Sequence, residues 1–416
     1  MYWDNNLQVF FNLLKAGLWE QEARLLPLGE IDYESVFQLA HEQSVQGLVL
    51  QGIEELKAKG IELSVPKVLL LQLIGEVQVI EQRNKEMNVF VAELIEKLSN
   101  ADIYALLVKG QGIAQCYARP LWRTCGDVDL FLDEENYQKA KMVLAQLADS
   151  EEPEVLYRMH KAYSIKGWEV ELHGNMRGRF LKRVDRVADE VQKVVFEGNK
   201  YRFWNCSNTK VRLPNIDEDI IFVFAHILQH FFIEGIGLRQ ICDWCRLLWT
   251  YKTEIDIELL ENRLRKMGMM TEWKTFGSLA VDSLGMPEEA MPFYDSRYKK
   301  KGARALDFVM ETGNFGFNRH VNETFKYPVI IRKVISFLRH TRDSIKYFRM
   351  FPLDALKIWF EMVGRGINVA LNPERLRKLT ENYISSNEKI KKELGVEKMP
   401  VDAKTGLQAT LKSFNS

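Results

Sequence analysis

Two carboxylates spaced two residues apart, Asp127-Val128-Asp129, are the centre of the chemistry this sequence can do. They lie in the stretch Leu106 to Leu132, LLVKGQGIAQCYARPLWRTCGDVDLFL. On a strand, residues two apart face the same side. Asp127 and Asp129 then converge on one point while Val128 and Leu130 point into a core. Two like charges that close are costly unless a cation sits between them. Mg²⁺ is the natural hard cation for such a pair and brings substrate phosphates with it, with Mn²⁺ as the alternative. A D-x-D by itself is weak, because surface Asp pairs are common.

Three neighbours strengthen it. Lys109-Gly110-Gln111-Gly112 follows one expected strand and opens an expected helix. Glycines there let backbone N–H groups approach an anion at a helix N-terminus. Lys109 adds a point charge for a phosphate, although a turn with a surface lysine has the same pattern. Arg119 and Arg123 flank Pro120 just before the acidic pair. Arg123 can pair with Asp127 or grip a phosphate. Further on, Trp168-Glu169-Val170-Glu171-Leu172-His173 puts Glu169, Glu171 and His173 on one strand face. A carboxylate from that face can join the first two in holding metal or in deprotonating an acceptor.

These residues need elements to position them. Residues 1–100 read as a helical region, with Leu7, Phe10, Phe11, Leu13 and Leu14 at helical spacing, then a long stripe from Leu69 to Leu98. Pro66 suits the start of that long helix. Residues 101–213 read as an α/β core. Ile103–Val108 and Asp127–Leu132 are strands, Gln111–Tyr117 and Glu134–Leu147 helices, and Tyr163–His173 one strand or a tight pair. Val191–Phe196 and Tyr201–Trp204 add further strands. Residues 214–385 return to helices: Asp217–His230, Leu238–Trp249, Ile257–Lys266, Trp273–Leu284, Ala303–Thr312, Val329–Tyr347 and Leu353–Val363. Residues 386–416 are a polar tail, Lys/Glu-rich from Lys389. The expected fold class is α+β, a small mixed sheet between N-terminal and C-terminal helical regions.

Composition sets outer bounds. Hydrophobic residues make up 46% and charged residues 27% of 416, which excludes wholesale disorder, collagen and a coiled-coil rod. Lys+Arg and Asp+Glu are 57 each, so no overall basic excess is available to neutralise phosphates. A long nucleic-acid acceptor is therefore less favoured than a small molecule or a protein. Five cysteines do not form a disulfide framework. The first residues lack a signal-peptide pattern, and the longest apolar stretch, near Ile220–Leu228, is far short of the ~20 residues that span a bilayer. The expectation is a cytoplasmic protein with no membrane partner.

The D-x-D stretch resembles the uncharacterised nucleotidyltransferase family of the DNA polymerase β-like superfamily. The resemblance rests on Lys109-Gly110, Tyr117, Pro120, Arg123, Asp127-Val128-Asp129-Leu130 and Glu171-Leu172-His173. A weaker block holds His226 and Leu238-Arg239-Gln240-Ile241-Cys242-Asp243-Trp244. It covers roughly residues 70–290. It implies a nucleotidyltransferase core with a two-Mg²⁺ mechanism, in which Asp127, Asp129 and Glu171 are catalytic and hold the metals. Glu171 is preferred to Glu169 because it directly precedes Leu172-His173. Lys109, Gly110, Gly112 and Arg123 would cradle the triphosphate of an NTP. The wider superfamily's Gly-Ser pair is replaced here by Lys109-Gly110.

Two other classes compete. One is a non-catalytic nucleotide- or partner-binding protein on the same scaffold. The other is a metal-dependent glycosyltransferase, which would want a larger α/β unit before the D-x-D. Cys242-x-x-Cys245 with His226 and His230 can be drawn as a zinc set, but both pairs sit in helical patterns and the cysteines read better as core or surface thiols. Arg239 and Asp243, one turn apart, suggest a surface ion pair. Trp122, Trp168 and Trp244 suit packing better than base stacking.

Overall fold

Helical spacing in the first hundred residues yields α1 (Asn5–Leu18), α2 (Tyr33–Glu42), α3 (Gln46–Ala58) and α4 (Lys67–Asn100) in the computed structural model. The structure describes residues 4–19, 30–61, 63–156, 159–178, 181–198, 200–233, 235–314, 327 and 329–370. Helix α4 is 34 residues long, roughly 50 Å at 1.5 Å per residue. Pro66 stands immediately before it with φ −56°. Helices α1 and α3 cross with their backbones touching. A Cβ on Gly17 would lie 2.0 Å from the Leu48 carbonyl oxygen, and one on Gly52 would lie 2.0 Å from that of Leu13. Gly17→Ala must push the two helices apart. We expect it to cost about 1–3 kcal/mol, the usual range for overpacking, read as a lower urea midpoint; an unchanged midpoint would contradict the close crossing.

The strands follow as β1 (Leu106–Val108), β2 (Asp127–Phe131), β3 (Ser150–Glu151), β4 (His160–Ile165) and β5 (Trp168–His173), in the spatial order β1-β2-β5-β4-β3. The short α5 (Gly110–Ala114) separates β1 from β2, and α6 (Glu134–Ala145) follows β2. Strand β2 runs parallel to β5, with Asp127 opposite Glu169 and Asp129 opposite Glu171. The β1–β2, β5–β4 and β4–β3 pairs are antiparallel. The sheet is mixed, as expected, and Tyr163–His173 resolves into a tight pair. A separate hairpin, β6 (Tyr201–Cys206) and β7 (Thr209–Pro214), packs on β1 and α4.

Val191–Phe196 is not a strand. It belongs to α7 (Lys182–Glu197), whose buried residues Val184, Val187, Ala188, Val191 and Val195 recur at helical spacing. The β-branched cluster suggested a strand, but the 3.6-residue period over sixteen residues overrides that local preference.

Alternation along β2 gives the sheet two different faces. Val128 and Leu130 join a core with Phe90, Val91 and Leu94 of α4 and Tyr137 and Leu144 of α6. Phe131 points into the other core, its ring 4.9 Å from Phe196 and 6.3 Å from Phe222. Phe222 belongs to α8 (Ile216–Ile233). Asp127, Asp129 and Phe131 share a face by alternation, so α8 passes over the side of the sheet that carries the carboxylates.

The C-terminal helices are α8, α9 (Leu238–Thr250), α10 (Ile257–Met267), α11 (Met270–Ser278), α12 (Lys299–Thr312), α13 (Val329–Phe348) and α14 (Pro352–Ala370). The expected helix Trp273–Leu284 is shorter: a π-helical turn replaces it at Leu279–Ser283, where the Ser278 hydroxyl donates to Asp282 at 2.7 Å. Residues 1–359 form one compact unit, and residues 360–416 a second, described here only as the end of α14. The polar tail lies outside the described residues. Among the described residues no helix is long and apolar enough to cross a membrane.

Candidate active site

The chain leaves β1 through a sharp bend. Lys109 has φ +56° and ψ −142°, a conformation that costs a non-glycine residue about 1–3 kcal/mol. Gly110 follows at φ +35°, where the absence of a Cβ is an advantage. Because Val108 pairs with Asp129, the bend sets Lys109 beside the acidic strand. Its ammonium lies 2.7 Å from Asp129 Oδ1. At Gly112 a Cβ would lie 3.0 Å from Leu213 of β7.

Parallel pairing of β2 with β5 sets Glu171 opposite Asp129 and Glu169 opposite Asp127. His173 joins them, with Nε2 2.7 Å from Asp129 Oδ1 and 3.3 Å from Glu171 Oε2. His160 of β4 adds its Nε2 at 3.1 Å from the same Glu171 oxygen. Burial would push Asp129 up, but Lys109 and the His173 hydrogen bond hold it below the ordinary carboxylate value. Burial also opposes Glu171 ionisation, and the bonds to His160 and His173 overcome it, holding this carboxyl well below its usual range. Asp127 behaves oppositely. The charge on Asp129 pushes it up, and burial adds to that. Glu169 is raised as well, by burial and then by Glu171.

Asp127 and Asp129 open onto a small cleft of ≈ 50 Å³, also lined by Lys109, Gly110, Arg123 and, from α8 and α9, by His226, Arg239, Gln240 and Asp243. Arg123 does not pair with Asp127. Its Nε and Nη2 donate to the two Asp243 oxygens at 3.0 and 2.6 Å, and its Nη1 to Cys125 Sγ at 2.8 Å. Three of its five N–H donors are thus engaged. The Tyr117 hydroxyl also donates to Asp243, at 2.7 Å. The expected surface pair of Arg239 with Asp243 is replaced: Asp243 is 4% exposed and serves Arg123, while Arg239 donates to the Thr124 carbonyl at 2.9 Å. Burial lowers Arg239, and it pushes His226 well below its ordinary value, with Lys109 adding to the effect.

A family model described as uncharacterised nucleotidyltransferase matches residues 29–281, well over half of the chain. The chain belongs to that family. The uncharacterised nucleotidyltransferase match starts before α2 and ends within the π-helical turn after α11, so it takes in the sheet, the hairpin and both cleft-lining helices. No curated protein and no solved structure matches the chain.

The Asp127/Asp129 pair of this nucleotidyltransferase-family domain offers the oxygen donors that a hard divalent cation takes. Asp127 and Asp129 of β2 face one cleft, and Asp127 takes no ion pair among the described residues, whereas Glu171 on β5 is not among the cleft's lining residues and clusters with His160 and His173. The charge of Asp129 and burial outweigh the compensation that Lys109 and Arg239 give Asp127, so its pKa is raised.

Elsewhere, Cys242 and Cys245 are buried free thiols in α9. Trp244 is fully buried, Trp168 stacks on Phe90, and Trp122 lies under Arg119. His160 escaped the sequence reading, yet a signal for it exists. Lys166-Gly167, both at positive φ, is a two-residue hairpin turn. Pairing outward from it sets His160 opposite His173.

Proposed function

We propose that this chain is a Mg²⁺-dependent nucleotidyltransferase that moves a nucleoside monophosphate from an NTP to an acceptor hydroxyl. The observation that carries the reading is the Asp127/Asp129 pair on β2, which lines one cleft with Lys109, Gly110 and Arg123, while parallel pairing with β5 sets Glu171 opposite Asp129. Asp127, Asp129 and Glu171 hold the metal, with Mn²⁺ as the alternative to Mg²⁺. When bound, two such ions would neutralise phosphate charge and lower the pKa of an acceptor hydroxyl. A new bond forms from the acceptor oxygen to the α-phosphorus, and the bond to pyrophosphate breaks. Glu171 acts as an acceptor-side metal ligand or as the base that takes the acceptor hydroxyl's proton. Lys109 and the Gly110 backbone meet the phosphates. Arg123 fixes the wall of the cleft through Asp243 and keeps two N–H donors for phosphate oxygens. The acceptor is a small molecule or a protein.

One contact favours a second reading, a non-catalytic nucleotide- or partner-binding protein: Lys109 already neutralises Asp129. Calorimetric titration with non-hydrolysable NTP analogues separates the two. The transferase reading expects binding that requires Mg²⁺ and is abolished in the Asp127→Asn/Asp129→Asn double variant. Binding that is indifferent to Mg²⁺ supports the second reading, and no binding of any NTP by folded wild type sinks both nucleotide readings.

A further inference from the structure

We propose that His160, Glu171 and His173 form a binding site for a divalent transition metal of the Zn²⁺ class. This goes beyond the transfer reading and does not depend on it. Three observations carry it. The first is the ligand set. Two imidazoles and one carboxylate are what Zn²⁺ and its neighbours take, whereas Mg²⁺ prefers oxygen alone.

The second is geometry. Glu171 Oε2 lies 3.1 Å from His160 Nε2 and 3.3 Å from His173 Nε2. One ligand atom from each residue can be chosen so that all three lie within 4.8 Å of one another. Ligands at ~2.0–2.1 Å around a tetrahedral ion stand about 3.3–3.4 Å apart, so the spacing suits an ion, which would take His173 Nε2 from its 2.7 Å hydrogen bond to Asp129 Oδ1. The third is how rigidly the donors are held. His160 and His173 are directly paired across the antiparallel β4–β5 ladder, and Glu171 is two residues from His173 on the same face. Sites built on strands keep their geometry better than sites built on loops. All three side chains are partly exposed, at 19–25%, so an ion can enter and a fourth position stays open to water or a ligand. Glu171 would then lie between the two metal positions, serving this site on one side and the Asp127/Asp129 pair on the other.

The test is zinc titration of the full chain after chelator treatment, by calorimetry, with the visible absorption of bound Co²⁺ as a second readout. The expected result is one Zn²⁺ per chain. His160→Ala should weaken it by more than ~100-fold, beyond what loss of an outer-shell partner costs. His160→Gln should weaken it too, and guards against misfolding of the alanine variant; both are checked by circular dichroism. Asp127→Asn should leave zinc binding intact while removing Mg²⁺-dependent NTP binding, so the two sites fail separately. The buried cysteines are poor competitors. The rival histidine pair, His226 and His230, has its Nε2 atoms 3.1 Å apart. Zinc lost on His226→Ala, zinc retained in folded His160 variants, or no zinc bound by wild type would each overturn the proposal.

Discussion

Arg123→Ala is expected to lower the unfolding free energy by about 3–5 kcal/mol, the range for breaking a buried ion pair by removing one partner. Arg123 is 9% and Asp243 4% exposed. Alanine would leave the Asp243 carboxylate buried with the Tyr117 hydroxyl as its remaining hydrogen-bond donor. The same residue anchors the segment leading into β2. The Asn84 side chain on α4 donates to the carbonyls of Leu121 and Arg123 at 2.7 and 2.8 Å, and Gln111 donates to Asn84 at 2.9 Å. The loss should appear as a lower urea midpoint with the slope unchanged. An apolar replacement of both partners, Arg123→Met with Asp243→Leu, should recover most of it, because no charge is then stranded. A loss below 1 kcal/mol in the single variant would mean that water reaches Asp243, and the account of a dry pair would fall.

Asp127→Asn is expected to do the opposite to stability. In chelator-treated protein we expect it to raise the unfolding free energy by an amount on the order of 1 kcal/mol. The reason is the neighbouring charge. Asp129 and burial both penalise the ionised Asp127, and the amide removes that repulsion while keeping the shape. On the proposed reading it also removes Mg²⁺-dependent nucleotide binding. A site that is more stable when disarmed is the usual mark of a charge kept for function. Paired melts with chelator and with excess Mg²⁺ check this. The ion should raise the wild-type Tm and leave the variant's where it was. A variant that melts lower than wild type in chelator would show Asp127 to be a structural carboxylate.

The acidic pair was legible because strand alternation is local: Asp-Val-Asp-Leu states in four residues which side is polar. So was the bend at Lys109-Gly110, where a short apolar run meets a glycine. The partners were less legible. Nothing near Arg123 in sequence identifies Asp243, which is brought to it by α9 folding back on the sheet. The i,i+4 neighbour Arg239 looked the better match only because helical spacing is readable and tertiary distance is not. Helix α7 was misread for the opposite reason: a six-residue window of Val and Phe carried strand preference, while the period that decides needed the whole helix. The placement of Glu171 beside Asp129 depended on a crossover through α6 and the β3–β4 ladder, and the pattern of residues alone does not fix that register.

The Arg123–Asp243 pair also sets a timetable. The two residues are 120 positions apart. At synthesis rates of about 5–20 residues per second, roughly 6–24 s pass between their additions on the ribosome. During that interval a guanidinium destined for burial waits without Asp243, the carboxylate that neutralises it in the folded chain. The cleft wall therefore closes late, after α9 has cleared the exit tunnel, and a nascent chain stalled before that point carries the acidic strand without its enclosure.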